Sequence, residues 1–145
     1  MSGILVGVDG SDHSQRALEW AAKEAATRHT SLTVLVVHQA VHGWAGSLRY
    51  HGDEAETEKA AQSAKAETDK VLAGLGDSRP ESVTVRAVHG DPAEELVNAS
   101  ADADIVVVGS HGTGGWSRQL LGSTASKVAH HASVPILIVP SERRH

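Results

Sequence analysis

The sequence predicts an α/β domain built on an open, parallel five-stranded sheet with helices on both faces. Three observations lead there. Five short apolar runs recur along the 145 residues, helical or helix-containing segments separate them, and a glycine-rich, hydroxyl-rich loop follows the fourth run. Strands alternating with helices imply right-handed crossovers and a sheet covered on both sides.

Residues 4–8 (ILVGV) read as the first strand. From Ser11 a helix follows, because Leu18, Ala21, Ala22 and Ala25 recur at the spacing of one helical face. Residues 32–37 give the second strand. Residues 40–53 hold glycines and aromatics that fit neither period, which predicts a loop before a polar, alanine-rich helix over about residues 54–75. Residues 83–88 form the third strand. Asp91-Pro92-Ala93-Glu94 is a helix start in which Asp91 caps, Pro92 takes the first position and Glu94 can close a capping box. Residues 105–108 and 134–139 are the fourth and fifth strands.

The richest segment runs from the fourth strand to the fifth, VVVGSHGTGGWSRQLLGSTASKVAHHASVP. Gly109 stands where the chain must turn sharply, and Gly112, Gly114 and Gly115 let backbone approach a ligand closely. Such a loop exposes N–H groups to an anion. Gly122 interrupts a short helix-like piece (residues 116–121), and Ser123 has the side chain to cap a new helix carrying Leu121, Ala125, Val128 and Ala132 on one face. The free N–H groups of Ser123, Thr124 and Ala125, with the positive end of the helix dipole, can bind phosphate oxygens without a dedicated lysine. Ser110, Thr113 and Ser123 add hydroxyl donors. His111 has two readings: it contacts phosphate when protonated, or it faces solvent.

Two common phosphate signatures are absent. Gly112-Thr113-Gly114 lacks the third glycine of a dinucleotide fingerprint, and no Gly-Lys-[Ser/Thr] ending marks a P-loop. The segment does match G-2x-G-9x-G-[S/T] through Gly109, Gly112, Gly122 and Ser123. With this motif, with GILVGVDGSDHSQRALEWAA at the start, HGDPAEELVNASADADIVVVGSHG in the middle and VPILIVP at the end, the chain resembles the ATP-binding branch of the universal stress protein family.

That resemblance implies a Rossmann-like sheet of order 3-2-1-4-5, which brings Asp9 beside the Gly109 loop. Alone, Asp9-Gly10-Ser11 reads as a turn or cap. In the family the position of Asp9 lies near the ribose, phosphates or metal, that of Gly7 near adenine and sugar, and the backbone around His38 and Gln39 near adenine. Val108 would line the same pocket. The implied ligand is ATP with Mg2+, although some members favour cyclic AMP. The fifth strand, residues 134–139, is an apolar edge bracketed by Pro135 and Pro140, and the family pairs two subunits through it, so a homodimer is expected.

Composition bounds the remaining readings. At 145 residues, 40% apolar and 21% charged, the chain is expected to form one domain over residues 1–145. It shows no signal peptide and no apolar run near the ~20 residues of a membrane span, so a soluble, cytoplasmic protein without membrane contact is expected. With no cysteine there is no disulfide, thiolate nucleophile or cysteine zinc site. The net charge of -5 argues against nucleic acid.

Ten histidines invite a metal hypothesis, but no HExxH is present and His130 and His131 point about 100° apart on a helix. His38 and His42 do not share a helix face, so no metal site is assigned. Arg118 and Lys127 read as solvated cations before phosphate ligands, and Trp116 as a packing residue or a lid. A hydrolase is rejected: Val108 stands where a nucleophile elbow has its first glycine, and no aspartate follows Ser110. No general base or arginine finger is evident, so ATP hydrolysis would be slow. A nucleotide-dependent binder or switch is the leading reading, a slow ATPase the second, and a nucleotide-independent dimeric module the third.

Overall fold

The structure, a computed structural model, describes residues 3–9, 12–38, 50–110 and 123–140. In chain order its elements are β1 (Gly3–Val8), α1 (Asp12–Arg28), β2 (Ser31–His38), α2 (Tyr50–Ala73), β3 (Ser82–His89), α3 (Pro92–Ala99), a 3-10 turn at Ser100–Asp102, β4 (Ile105–Gly109), α4 (Ser123–His131) and β5 (Ile136–Val139). The strands form one sheet in the order β3-β2-β1-β4-β5, and every neighbouring pair is parallel. This is the α/β class and the order expected.

Alternation along the strands builds two cores, one on each face. Ile4, Val6 and Val8 of β1, with Val34, Val36, Val107 and Val139, face Ala17, Leu18, Ala21, Ala22 and Ala25 of α1 and Ala64 and Leu72 of α2. Leu5, Leu35, Val106 and Val108 turn the other way, onto Ala93 and Leu96 of α3 and Ala125 and Val128 of α4. A strand covered on both faces must be apolar at every position, which is why β1 and β4 read as unbroken runs. Alanines on α1 let that helix lie close to the sheet, and Ala17, Ala21, Ala22 and Ala25 are fully buried.

Element ends differ from the sequence reading where backbone bonding overrides side-chain pattern. The β2–β3 ladder runs from Ser31↔Ser82 to His38↔His89, so polar residues join both strands. Ladder bonds come from the main chain and need no apolar side chain. α2 begins at Tyr50, four residues before the expected start, and so takes in residues 50–53 of the expected loop. Among the described residues its first core-facing side chain is Ala60, and the sequence ahead of it carries no apolar period. The rest of the expected loop, residues 40–49, lies outside the described residues. α2 ends at Ala73 rather than at residue 75, with Gly74 and a left-handed Gly76 (φ +67°) closing the helix.

β5 starts at Ile136, two residues later than expected. Pro135 has no N–H for the ladder, but its carbonyl accepts from Val106 N–H at 3.0 Å. α3 starts as its sequence predicts. The Asp91 carboxylate accepts the Glu94 N–H at 3.0 Å, with proline in the first turn. Buried hydroxyls find local acceptors: Thr68 Oγ1 donates to Ala64 O and Ser100 Oγ to Val97 O.

Candidate functional site

The strand order creates one place where consecutive connections part. β1 leads through α1 toward β2, whereas β4 leads through α4 toward β5 on its other side, and the two helices cover opposite faces. Open α/β sheets hold ligands in the crevice at such a point, which here falls between the carboxyl ends of β1 and β4.

Register places residues there. Ile4, Leu5 and Val6 pair with Ile105, Val106 and Val107. Beyond that ladder β1 runs on to Val8 and β4 to Gly109, so Asp9 and Ser110 follow their strands at the same carboxyl edge of the sheet. Asp9 is exposed at the exit of β1, and its N–H donates to Ser14 Oγ at 3.2 Å. Ser14, on the first turn of α1, is buried, so this bond ties the β1–α1 turn to the helix it enters. Gly109 is the last residue of β4, and Ser110, also buried, donates its N–H to Val139 O at 3.0 Å. The sequence reading missed Ser14. Its only signal is a serine five positions after an aspartate, outside any hydrophobic period.

α4 joins two parallel strands and therefore runs back across the sheet, with its N-terminus at the carboxyl edge. It spans Ser123–His131, which makes Ser123 its first helical residue rather than the flanking cap residue expected. Main-chain N–H groups at a helix start lack intrahelical partners. Thr124 is half-buried, and Ala125, 2% exposed, packs its methyl into the core with Val128, so a ligand could meet only its main chain.

Two further predicted site residues carry core packing. Val108 is buried among Leu5, Leu35, Leu96 and Ala125. Gly7 lies on the same face of β1, where an added Cβ would come within 2.9 Å of both Cδ atoms of Leu96. Gln39, His111, Gly112 and Gly122 fall outside the described residues, as do Thr113, Trp116, Arg118 and His42.

The histidines on α4 lie apart from this crevice. His130 and His131 are exposed in the last turn, at the opposite end of the helix, with ring centroids 6.4 Å apart. His130 Nδ1 lies 3.0 Å from Ser126 O and donates to it. Lys127 is exposed. Among the described residues no group of three His, Cys, Asp or Glu side chains could hold a metal ion, and no helix is long and apolar enough to cross a membrane.

Comparison with known proteins agrees with this architecture. A universal stress protein of Mycolicibacterium smegmatis is 38% identical over 140 residues, covering 94% of this chain and 47% of that protein. The chain spans about half the length of the curated relatives it matches, the next ones being covered over 49% of their length. Among solved structures, the universal stress protein UspA from Lactobacillus plantarum superposes with a TM-score of 0.80 at 26% identity, covering 95% of this chain and 97% of that one. A universal stress protein in complex with cAMP gives a TM-score of 0.66 at 25% identity, with 97% and 98% covered. The model of the universal stress protein family matches residues 1–140. This chain belongs to the universal stress protein family.

Proposed function

We propose that the chain binds an adenine nucleotide, ATP first, in the crevice between β1 and β4, and acts as a nucleotide-dependent switch in a stress response. The observation that carries this reading is the pairing of β1 with β4 at the sheet's switch point, which brings the strand exits at Asp9 and Ser110 to one edge, with α4 starting at the same edge. The motif Gly109, Gly112, Gly122 and Ser123 supplies backbone donors for phosphate, joined by Ser110, His111 and the N–H groups of Thr124 and Ala125. Gly7, Gln39 and Val108 border the base and sugar. The Asp9 carboxylate and the loop hydroxyls are hard oxygen donors, the kind Mg2+ takes when it bridges phosphates.

Cyclic AMP is the second reading, favoured by the family structure described as a complex with cAMP. A second copy of the chain pairs through the outer edge of β5, the end strand of the sheet.

Calorimetric titration of nucleotide-stripped protein with Mg-ATP tests the proposal. The expected result is about one nucleotide per chain, lost on bulky replacement of Gly112 or Gly122. No heat with ATP, AMP or cyclic AMP would sink it and leave a dimeric interaction module. Release of ADP in step with protein concentration, lost on Asp9→Ala, would convert the switch into a slow ATPase.

A further inference from the structure

We propose that Arg16 couples the β1/β4 crevice to the outer edge of β5, so that nucleotide in the crevice tightens pairing of a second copy along that edge. This rests on the nucleotide reading above.

The inference starts from how two consecutive carbonyls at the end of β5 are held. Val139 O accepts the Ser110 N–H at 3.0 Å. The next carbonyl, Pro140 O, accepts Nη1 of Arg16, also at 3.0 Å and across 124 positions of sequence. Ser110 opens the loop after β4. Arg16 stands two residues beyond Ser14, whose Oγ holds the Asp9 N–H. Each wall of the crevice thus grips one of the two carbonyls.

Strand geometry shows which edge this touches. Successive residues of a strand turn their backbone groups to opposite edges. The carbonyls of Pro135 and Val139 face β4, accepting from Val106 and Ser110. Ile136 and Ile138 therefore present N–H and C=O to the outer edge, where a second copy would bond. Pro140 is next in that outward series. It has no N–H, and Arg16 takes its carbonyl. The guanidinium sits where the pairing row ends, carried by the helix that Asp9 abuts.

A ligand that engages Asp9 and the Ser110 loop would hold both grips in place, ordering the row for a partner. Without it, the Arg16 and Ser110 bonds are not bridged by a ligand, and the row is less fixed. The expected coupling lies in the usual range for linked sites, about fivefold or more in dimer dissociation constant.

The test is sedimentation equilibrium on the full chain with and without Mg-ATP, with calorimetry on the same preparations. Wild type, Arg16→Ala and Arg16→Lys are compared, and circular dichroism checks their fold. In wild type the dimer constant should tighten about fivefold or more with nucleotide. Arg16→Ala should still bind about one ATP per chain and lose the shift, its nucleotide affinity falling by no more than the coupling factor, because coupling between two sites is reciprocal. Arg16→Lys, which keeps the charge without the fork, should retain part of it and carries the test if the alanine variant does not fold. A full shift in Arg16→Ala overturns the inference. So does a wild type that binds ATP with an unchanged dimer constant, or that stays monomeric. Absence of any binding heat removes the nucleotide reading and this coupling together, whereas binding without a shift removes the coupling alone.

Discussion

Gly7 and Leu96 touch across the β1–α3 interface with no room for a methyl group between them: a Cβ on Gly7 would lie 2.9 Å from both Leu96 Cδ atoms. The glycine on β1 thus has a packing role of its own beside any contact with a nucleotide. Leu96 is 3% exposed and anchors the α3 side of the core, so the gap is already filled.

Gly7→Ala should therefore destabilise the fold by about 1–2 kcal/mol, because the tips of Leu96 can move but the core around them is packed. In a Leu96→Ala background the added methyl should cost much less, since the truncated side chain leaves space. Urea unfolding of the two single variants and the double variant measures the coupling. Equal costs in both backgrounds would show that Leu96 is not what Gly7 accommodates.

Ser14→Ala should cost about 1–3 kcal/mol, because a buried hydroxyl and the Asp9 N–H lose each other as partners. Amide exchange at Asp9 should accelerate in step. An Asp9 amide that exchanges at the wild-type rate would mean that Ser14 does not hold the turn.

Asp91→Ala should cost about 1 kcal/mol by freeing the Glu94 N–H at the start of α3. Asp91→Ser should restore most of it, as serine can accept the same bond. A serine variant as unstable as the alanine one would point to the charge, through the helix dipole, rather than to the cap.

On the proposed function, Asp9→Asn should weaken Mg-ATP binding about tenfold, equivalent to about 1.4 kcal/mol. It should alter binding of metal-free ATP less. Equal loss with and without Mg2+ would place Asp9 against the sugar or phosphates instead of the cation.

Much of the framework was legible in the chain because burial on both faces writes itself into sequence. Residues 4–8 and 105–108 are apolar without interruption since each side chain meets one helix layer or the other. α1 was legible from Leu18, Ala21, Ala22 and Ala25, and α3 from Asp91 and Pro92, whose roles are local. The start of α2 was not, as its first turns precede Ala60 and carry no apolar period. Pro135 misled in the opposite sense: Val134 and Pro135 look like strand, yet the ladder waits for Ile136.

The candidate site divides along the same line. Gly109, Ser110 and the start of α4 could be read from composition and spacing, because turn glycines and helix starts are properties of neighbouring residues. The Asp9–Ser14 tie, the Gly7–Leu96 contact and the Arg16–Pro140 bond could not. The sequence by itself determined the alternation of strands and helices and which residues face a core. Only the tertiary structure decided the register in which Ile4 pairs with Ile105 between β1 and β4, and that Arg16 reaches Pro140 across 124 positions. Periodicity records whether a side chain is buried, but partners distant in sequence are chosen by strand order and register, which no local pattern encodes.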